Sequence, residues 1–324
     1  MIVMMMTTAQ QGEQLAARGR VAEALHILEP AAAGGDPDAL FLLAVWRLSG
    51  EYLPRDLAAS RSLFAKAAQV GRPDAMAIHA AFLANGTGGN VDWQQALAIL
   101  HQQASTDAAA ADQLAIIDAM WLSSDGMPLS VPAAGMVSAS PLIYRLPALL
   151  SDAECDFLIR SATPWLQPAM VVDPRTGHYV RDPVRTSDGA AFPLAMENPA
   201  IHALNRRIAA ASGTGVAQGE PLQILSYRQG QQYRPHVDAI GHTDNERIWT
   251  MLVYLNDGYE GGETLFTAIG LAVKGPKGDA ILFRNVDGMG RADMLSRHAG
   301  LPVTSGQKFL ASRWIRQYPL ALRG

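Results

Sequence analysis

Hydrophobic residues follow two different spacings along this chain, and the change between them divides it into a first third and a remainder. Between about residues 10 and 122, apolar side chains recur three and four positions apart, as at Ala24, Leu28 and Ala31. That spacing is typical of amphipathic helices. From Leu222 onward, short apolar runs alternate with Gly-containing turns, which predicts strands.

The helical part is a repeat with a period of 36 residues. The segment GDPDA at 35–39 returns as GRPDA at 71–75 and, in degenerate form, as DAAAA at 107–111. Each unit holds one apolar helix, a Gly or Pro-Asp interruption and a second apolar helix, so we predict three helix-turn-helix repeats. An alanine column at 32, 68 and 104 suggests closely packed helices, which leave room only for small side chains.

This pattern resembles Sel1-like repeats, relatives of the tetratricopeptide family. We assign residues 1–125 to a Sel1-like helical repeat domain, 126–140 to a Ser-, Gly- and Pro-rich linker, and 141–324 to a second domain. A short stack of repeats either offers a concave docking surface to a peptide or buttresses the neighbouring domain. The sequence leaves both roles open.

The second domain begins with helices and continues with strands. Ser151 and Glu154 form a capping-box pattern that predicts a helix over 151–162, and another helix is expected over 198–212. The strand-like runs that follow are LQILSY, RIWTMLVYLN, ETLFTAI, DAILF and KFLASRWIRQY. We therefore predict an α+β protein, in which an α-helical repeat domain precedes a double-stranded β-helix, or jelly-roll, barrel braced by helices.

Composition and charge narrow the choice of partners. Among 324 residues, 49% are hydrophobic and 17% are charged, which excludes extended disorder. The chain has 26 Lys and Arg against 30 Asp and Glu and no basic block, so we expect no nucleic-acid partner. Residues 1–122 carry 7 basic and 12 acidic residues, which leaves 19 against 18 for the remainder, so the acidic bias belongs to the repeats.

Three features bear on the cellular compartment. The one cysteine, Cys155, cannot form an internal disulfide, which suits a reducing environment. The N-terminus lacks the charge and cleavage pattern of a signal peptide. The longest apolar run, residues 39–46, is far shorter than the roughly 18 to 20 residues of a membrane helix. We expect a cytoplasmic protein with no membrane partner.

Two segments of the second domain carry side chains suited to metal chemistry. In YRPHVD, His236 and Asp238 are two residues apart, so they share one face if the segment is a strand. His298 stands ten residues before Lys308. Two histidines and one carboxylate are the ligand set that holds non-haem Fe(II) and leaves coordination positions open. Taken alone, the pair is also compatible with a structural histidine and a surface aspartate, and Lys308 with a solvated strand-edge lysine.

Several ordered blocks resemble one enzyme family, the 2-oxoglutarate- and Fe(II)-dependent oxygenases of the prolyl 4-hydroxylase type. They are YRQGQQYRPHVD, RIWTMLVYLNDGYEGGETLF, VKGPKGDAILFRN and RHAGLPVTSGQKFLASRWIR. SDAECDFLI and VRTSDG match the leading segments of the same family, so the resemblance covers roughly residues 141–318.

The resemblance implies roles for individual residues. His236, Asp238 and His298 would be the catalytic metal ligands that bind Fe(II). Lys308 would pair with the C5 carboxylate of 2-oxoglutarate, with hydrogen bonds from two further cofactor-binding residues, Tyr227 and Thr264. A buried lysine opposite a carboxylate makes a charge-assisted hydrogen bond, which compensates for the desolvation of both groups.

Three more positions match the substrate side of that family's site: Tyr233, Arg247 and Trp314. Each has an ordinary alternative, namely barrel packing for the two aromatic residues and a salt bridge at the rim for Arg247. The implied cofactors and co-substrates are Fe(II), 2-oxoglutarate and O2, with L-ascorbic acid as an additional one. The carboxylate at Asp238 favours hydroxylation over halogenation, because halogenating relatives lack it.

Two loops are expected to control access to the barrel. The segment from Val172 to Gly189, rich in Arg, Asp, Gly and Pro, predicts a mobile cover, and residues 239–246 form the second loop. His178 and His242 lie in these loops as candidate substrate contacts. The histidines of the repeats, His26, His79 and His101, are expected to be structural.

These features give three hypotheses for function. The first is a dioxygenase that hydroxylates an unactivated C–H bond of proline in a peptide or protein. The second is a biosynthetic hydroxylase of a free cyclic amino acid, such as proline or pipecolate. The third is a scaffold whose repeats bind a partner and whose oxygenase domain is vestigial.

Overall fold

The computed structural model describes residues 6–172 and 179–321. Within this part of the chain, helices fill the first third and strands dominate the rest. The helices are α1 (Thr8–Ala17), α2 (Val21–Ala33), α3 (Pro37–Ser49), α4 (Leu57–Gln69), α5 (Pro73–Asn85), α6 (Trp93–Ala104), α7 (Ala108–Ala119), α8 (Asp152–Ala162) and α9 (Pro199–Ser212). The strands are β1 (Gly135–Ala139), β2 (Leu142–Leu146), β3 (Gln167–Pro168), β4 (Met170–Val172), β5 (Tyr179–Arg181), β6 (Asp188–Ala191), β7 (Gln223–Arg228), β8 (Tyr233–His236), β9 (Arg247–Tyr254), β10 (Glu260–Gly261), β11 (Thr264–Phe266), β12 (Leu271–Val273), β13 (Ala280–Arg284), β14 (His298–Gly300), β15 (Val303–Ser305) and β16 (Gln307–Arg316).

The helix pairs recur with the predicted period. Helices α2, α4 and α6 begin at Val21, Leu57 and Trp93, each 36 residues after the last. Aspartate side chains cap several of these helices, as Asp36 does by accepting hydrogen bonds from two backbone N–H groups at the start of α3. Helix α3 ends at Gly50, whose φ of 76° is the left-handed conformation that glycine adopts at low cost.

Equivalent positions of the three repeats form the buried columns of the helical stack. Leu28, Phe64 and Leu100 fill its centre, and the small residues Ala24, Ser60 and Ala96 are fully enclosed between helices. The alanine column at 32, 68 and 104 is only half-buried. The positions that demand small side chains therefore lie about two turns earlier in each helix than the sequence pattern suggested.

Two main antiparallel sheets form the second domain, beside two small two-stranded sheets, β4-β5 and β10-β15. The larger has the strand order β1-β2-β13-β9-β16-β7-β6-β3, and the smaller has the order β12-β11-β14-β8. Apolar side chains from both sheets pack between them, among them Leu252, Phe266 and Phe283. This arrangement agrees with the predicted barrel, and α8 and α9 supply the predicted bracing helices. The capping box of Ser151 and Glu154 is present at the start of α8.

The third repeat and the barrel share one hydrophobic core. Helix α9 contacts α5, α6 and α7. A single cluster joins Trp93 and Ile117 of the repeats to Leu158 and Leu204 of the second domain. Polar groups cross the same junction, since the Asn85 amide donates to the backbone carbonyls of 194 and 197. The third repeat is thus part of the support of the barrel.

The segment assigned to the linker contributes to the sheet. Residues 135–139 form β1, which pairs with β2 at one edge of the larger sheet. An extended, Ser- and Gly-containing segment can take either role, and the neighbouring β2 supplies the pairing. Within the described residues, no helix is long and apolar enough to cross a membrane.

Candidate active site

The pairing of β8 with β14 brings two histidines together. His236 ends β8 and lies directly opposite His298 at the start of β14. The centroids of the two imidazole rings are 4.3 Å apart. Because partners in an antiparallel pair project from the same face of the sheet, both rings point into the barrel.

Asp238 follows β8 and completes a three-residue cluster. Its Oδ1 lies 3.5 Å from Nε2 of His236, and its Oδ2 lies 3.7 Å from Nε2 of His298. One ligand atom from each residue fits within 4.8 Å of the other two. The three side chains that the sequence analysis selected thus converge, and Asp238 and His298 are almost completely buried.

The histidines are oriented for metal binding by their own backbone. Nδ1 of His236 lies 2.8 Å from the carbonyl oxygen of Arg234, and Nδ1 of His298 lies 3.0 Å from that of Ser296. A carbonyl oxygen only accepts, so Nδ1 carries the proton in each ring and Nε2 keeps its lone pair toward the cluster. Burial lowers the pKa of His298 and so favours the neutral ring that a metal requires.

The carboxylate of Asp238 is held in its ionised form. Burial alone would raise its pKa, but His298 and His236, together with a hydrogen bond from Thr250, hold the pKa well below the usual range. The Thr250 hydroxyl lies 2.6 Å from Oδ2 of Asp238. Two imidazoles and one carboxylate are the donor set that suits non-haem Fe(II), so the residues present fit the expected metal.

Lys308 projects into the same pocket from β16. It lies opposite Tyr227 of β7, and its ammonium donates a 2.7 Å hydrogen bond to the carbonyl oxygen of Gly262. Burial lowers the pKa of Lys308 to about 8. Thr264, at the start of β11, is also buried and lines the pocket. A lysine, a tyrosine and a threonine hydroxyl therefore surround a place where a carboxylate would be fully hydrogen-bonded.

One pocket contains nearly all the predicted site residues. Its cavity volume is about 30 Å³. Three leucines form part of its wall. Arg185, in the segment before β6, also lines it. The predicted site residues that line it are Tyr227, Tyr233, His236, Asp238, Thr264, His298, Lys308 and Trp314.

Arg247 is the predicted site residue that the pocket does not include. Its guanidinium forms two hydrogen bonds of 2.7 and 2.8 Å with the carboxylate of Glu220. The same guanidinium lies 3.7 Å from the centroid of the Trp314 ring. Arg247 thus contacts the ring of Trp314 and forms the salt bridge that was its alternative role.

The aromatic residues of the predicted substrate side have different environments. The Tyr233 ring stacks on the imidazole of His236, with centroids 3.5 Å apart. Arg185 lies near the Tyr233 ring, 5.8 Å from its centroid. Tyr233 therefore touches a metal ligand directly, whereas Trp314 forms a wall farther along the pocket.

The structure describes all of one predicted access loop and part of the other. Residues 239–246 are tied down by Glu246, whose carboxylate accepts hydrogen bonds from the backbone N–H groups of Ile240, Gly241 and Arg247. His242 in this loop is exposed. In the other segment, β4 pairs with β5, while residues 173–178, including His178, lie outside the described residues.

Sequence reasoning missed several polar residues around the site. They are Arg185 in the pocket, Glu220 beside Arg247, and Thr250 with Asn285 behind Asp238. Thr250 and Asn285 are polar residues at fully buried positions of otherwise apolar strand segments. That interruption was the one signal available, because burial without a partner is costly.

Comparison with known proteins places these features in context. A family model described as the 2OG-Fe(II) oxygenase superfamily matches residues 222–316. Prolyl 4-hydroxylase 1 of Arabidopsis thaliana is 40% identical over 201 residues, which cover 56% of this chain and 71% of the plant protein.

Two further similarities are to a subunit of an animal enzyme and to a viral crystal structure. Prolyl 4-hydroxylase subunit alpha-1 of Rattus norvegicus is 33% identical over 186 residues, which cover 55% of this chain but 35% of the rat subunit. The crystal structure of a viral collagen prolyl hydroxylase from Paramecium bursaria chlorella virus 1, in complex with 2-oxoglutarate, is 29% identical and covers 54% of this chain and 96% of the viral one, with a TM-score of 0.44.

Proposed function

Because this chain belongs to the prolyl 4-hydroxylase family of 2-oxoglutarate- and Fe(II)-dependent oxygenases, we propose that it hydroxylates proline within a peptide or protein. One observation carries the proposal. The His236, Asp238 and His298 cluster and the buried ammonium of Lys308 face the same pocket. A vestigial domain would have no reason to keep these costly buried groups, so the scaffold hypothesis is not retained.

Different residues of the pocket would bind the metal and the co-substrate. His236, Asp238 and His298 would hold Fe(II), and the hydrogen bonds to Nδ1 keep both rings turned toward it. Lys308 would bind the distal carboxylate of 2-oxoglutarate. Bound Fe(II) would supply the reaction of O2 with 2-oxoglutarate, in which one oxygen atom enters the succinate formed as CO2 leaves and the other is inserted into the substrate C–H bond.

The remaining walls suit a proline ring. Tyr233 and Trp314 offer flat aromatic faces on which a pyrrolidine ring can pack, and they enclose the space in front of the cluster. Such packing fixes the position of one C–H bond and excludes water from it. Arg247 supports this wall through its contact with the Trp314 ring.

Hydroxylation of a free cyclic amino acid is the second candidate. Its support is the shared core between the third repeat and the barrel, which gives the repeats a structural role that needs no peptide. Both candidates use the same pocket chemistry. A cytoplasmic location and the use of ascorbate accompany the proposal as expectations from the sequence.

The decisive experiment offers the full-length protein a panel of substrates. The panel holds proline-containing peptides, free proline and free pipecolate, with Fe(II), 2-oxoglutarate and O2. We expect a product heavier by one oxygen atom from a peptide, together with stoichiometric succinate. Oxygen added only to a free amino acid would transfer the assignment to the second candidate.

The ligand assignment has its own test. Asp238→Ala removes the carboxylate that completes the metal site, so we expect loss of both metal binding and succinate formation. His101→Ala, an exposed change on the repeat helix α6, is the control and retains both. Full turnover by Asp238→Ala would refute the site.

Absence of a visible charge-transfer band in anaerobic protein that demonstrably binds Fe(II) and 2-oxoglutarate would refute the oxygenase function.

A further inference from the structure

A chain of buried hydrogen bonds leads away from the carboxylate of Asp238. The side-chain amide of Asn285 lies 2.9 Å from the Thr250 hydroxyl, which in turn lies 2.6 Å from Oδ2 of Asp238. Thr250 and Asn285 are fully buried, and Asp238 nearly so. The three groups come from separate places, namely β9, the end of β13 and the segment after β8, so only the assembled barrel aligns them.

The direction of these hydrogen bonds follows from the chemistry of the groups. An ionised carboxylate can only accept, so the Thr250 proton points at Oδ2. A hydroxyl has one proton, and Thr250 must therefore accept from its other neighbour. Asn285 then presents its NH2 group to Thr250, and its carbonyl oxygen is left buried without a hydrogen-bond partner in the described residues.

The two carboxylate oxygens of Asp238 differ in their hydrogen bonds. Oδ1 lies 3.5 Å from Nε2 of His236 and Oδ2 lies 3.7 Å from Nε2 of His298, so both oxygens border the cluster. Oδ2 is the oxygen taken up by the threonine hydroxyl. Rotation of the carboxylate about its Cβ–Cγ bond would break the 2.6 Å hydrogen bond and leave the hydroxyl proton without an acceptor, which is costly in a buried site.

From this geometry we propose that Thr250, oriented by Asn285, is a positioning residue that makes Asp238 a single-oxygen ligand. The proposal rests on the metal site of the proposed function. The hydroxyl holds Oδ2, and Asp238 offers Oδ1 alone to the iron. A carboxylate that binds through two oxygens would occupy one more coordination position. Binding through one oxygen leaves that position open, and the open positions are needed for 2-oxoglutarate and O2.

Three variants test the role of the hydroxyl. Thr250→Val keeps the shape of the side chain and removes the hydroxyl, whereas Thr250→Ser keeps the hydroxyl. Asn285→Ala keeps Thr250 and removes the donor that orients it. Ser60→Ala is the matched control, because Ser60 is an equally buried hydroxyl that donates to a backbone carbonyl in the repeats.

Metal affinity is measured first, without turnover, by titrating anaerobic protein with Mn(II) or Fe(II). We expect Thr250→Val to weaken binding by about 10- to 100-fold and Asn285→Ala to weaken it less, since outer hydrogen-bond partners of metal ligands contribute on this scale. Thr250→Ser and Ser60→Ala should bind like the wild type. Thr250→Val should also weaken the charge-transfer band formed with Fe(II) and 2-oxoglutarate.

The outcomes separate this inference from the proposed function. If Thr250→Val binds metal within about twofold of the wild type and gives the same band, the positioning role is wrong while the oxygenase function stands. If the wild type itself binds no metal, the proposed function fails. If Thr250→Val does not fold, Asn285→Ala decides, because unchanged metal affinity in that variant would contradict the relay.

Discussion

Lys308 places one buried positive charge in the pocket. It is 2% exposed and has a carbonyl oxygen as its hydrogen-bond acceptor, with two tyrosine rings nearby. A buried ammonium without a carboxylate beside it costs stability, and burial accordingly lowers the pKa of Lys308 to about 8. A dicarboxylate that enters the pocket supplies the missing partner. The buried charge of Lys308 therefore makes the pocket selective for that ligand.

The pH dependence of co-substrate capture follows from this pKa. Lys308 is protonated below about pH 8 and neutral above it, so it loses the charge that attracts a carboxylate as the pH rises. We expect kcat/KM for 2-oxoglutarate to fall above about pH 8, because this ratio reports the free enzyme. Steady-state kinetics across that range would measure it.

Lys308→Arg provides the control for this prediction. An arginine stays charged throughout the range, so whatever co-substrate capture the variant retains should lack the alkaline fall. A wild-type kcat/KM that stays level well above pH 8 would show that the charge of Lys308 does not govern capture.

At the scale of elements, a tight turn between β10 and β11 brings a backbone carbonyl to Lys308. Gly261 and Gly262 both have a φ of 68°, which is the left-handed region. A Cβ on Gly262 would lie 3.2 Å from Cδ of Lys308 and 3.2 Å from a methyl group of Val303. The turn therefore needs glycine for its backbone conformation and for the space that the lysine occupies.

Gly262→Ala tests both requirements. We expect a loss of about 1–2 kcal/mol in the free energy of unfolding from the left-handed backbone and a higher KM for 2-oxoglutarate from the displaced lysine. Denaturant unfolding and steady-state kinetics measure the two effects. Gly258→Ala is the matched control, since its φ is 80° and its Cβ would meet nothing within 4 Å.

The two variants should therefore agree in stability and differ in KM. An equal rise in KM for both would mean that backbone strain alone perturbs the site. No rise in either would mean that Lys308 tolerates the displacement.

At the scale of the whole molecule, the third repeat and the barrel form one packed unit. Their shared core includes side chains of α6 and α7 together with α8 and α9. Arg206 of α9 donates to the backbone carbonyl of Asp125 and lies over the ring of Trp93. Such a junction resists independent motion of the two parts, because separating them would expose apolar surface.

Asn85→Ala tests the coupling at this junction. The change leaves the backbone carbonyls of residues 194 and 197 without their donor in a buried place, so we expect a loss of about 1–3 kcal/mol in the free energy of unfolding. Tryptophan fluorescence and loss of activity should report the same single transition. Asn90→Ala, an exposed change nearby, should leave stability unchanged.

Two separate transitions in this experiment would contradict the shared core. They would show that the repeats unfold independently of the barrel, and a docking role for them would then gain support. An unchanged stability of Asn85→Ala would show that the two carbonyls find other partners.

Much of this molecule could be predicted from local pattern. The repeat period, the capping box at Ser151, the helix over 198–212 and the main strands depend on residues close together in the chain, and the structure confirms them. The family resemblance also selected His236, Asp238, His298 and Lys308, which the structure brings into one pocket.

The rest depended on which elements lie side by side. The opposition of His236 and His298 comes from the register of β8 and β14, and the Thr250 relay requires three segments far apart in sequence. Arg247 could face the substrate or form a salt bridge at the rim, and its partner Glu220 comes from a different segment of the chain. The sequence by itself determined the repeats, the elements and the reactive groups, because periodicity and capping act locally. Only the tertiary structure decided partners and orientation, because hydrogen bonds and burial form between residues that meet when the sheets and helices pack.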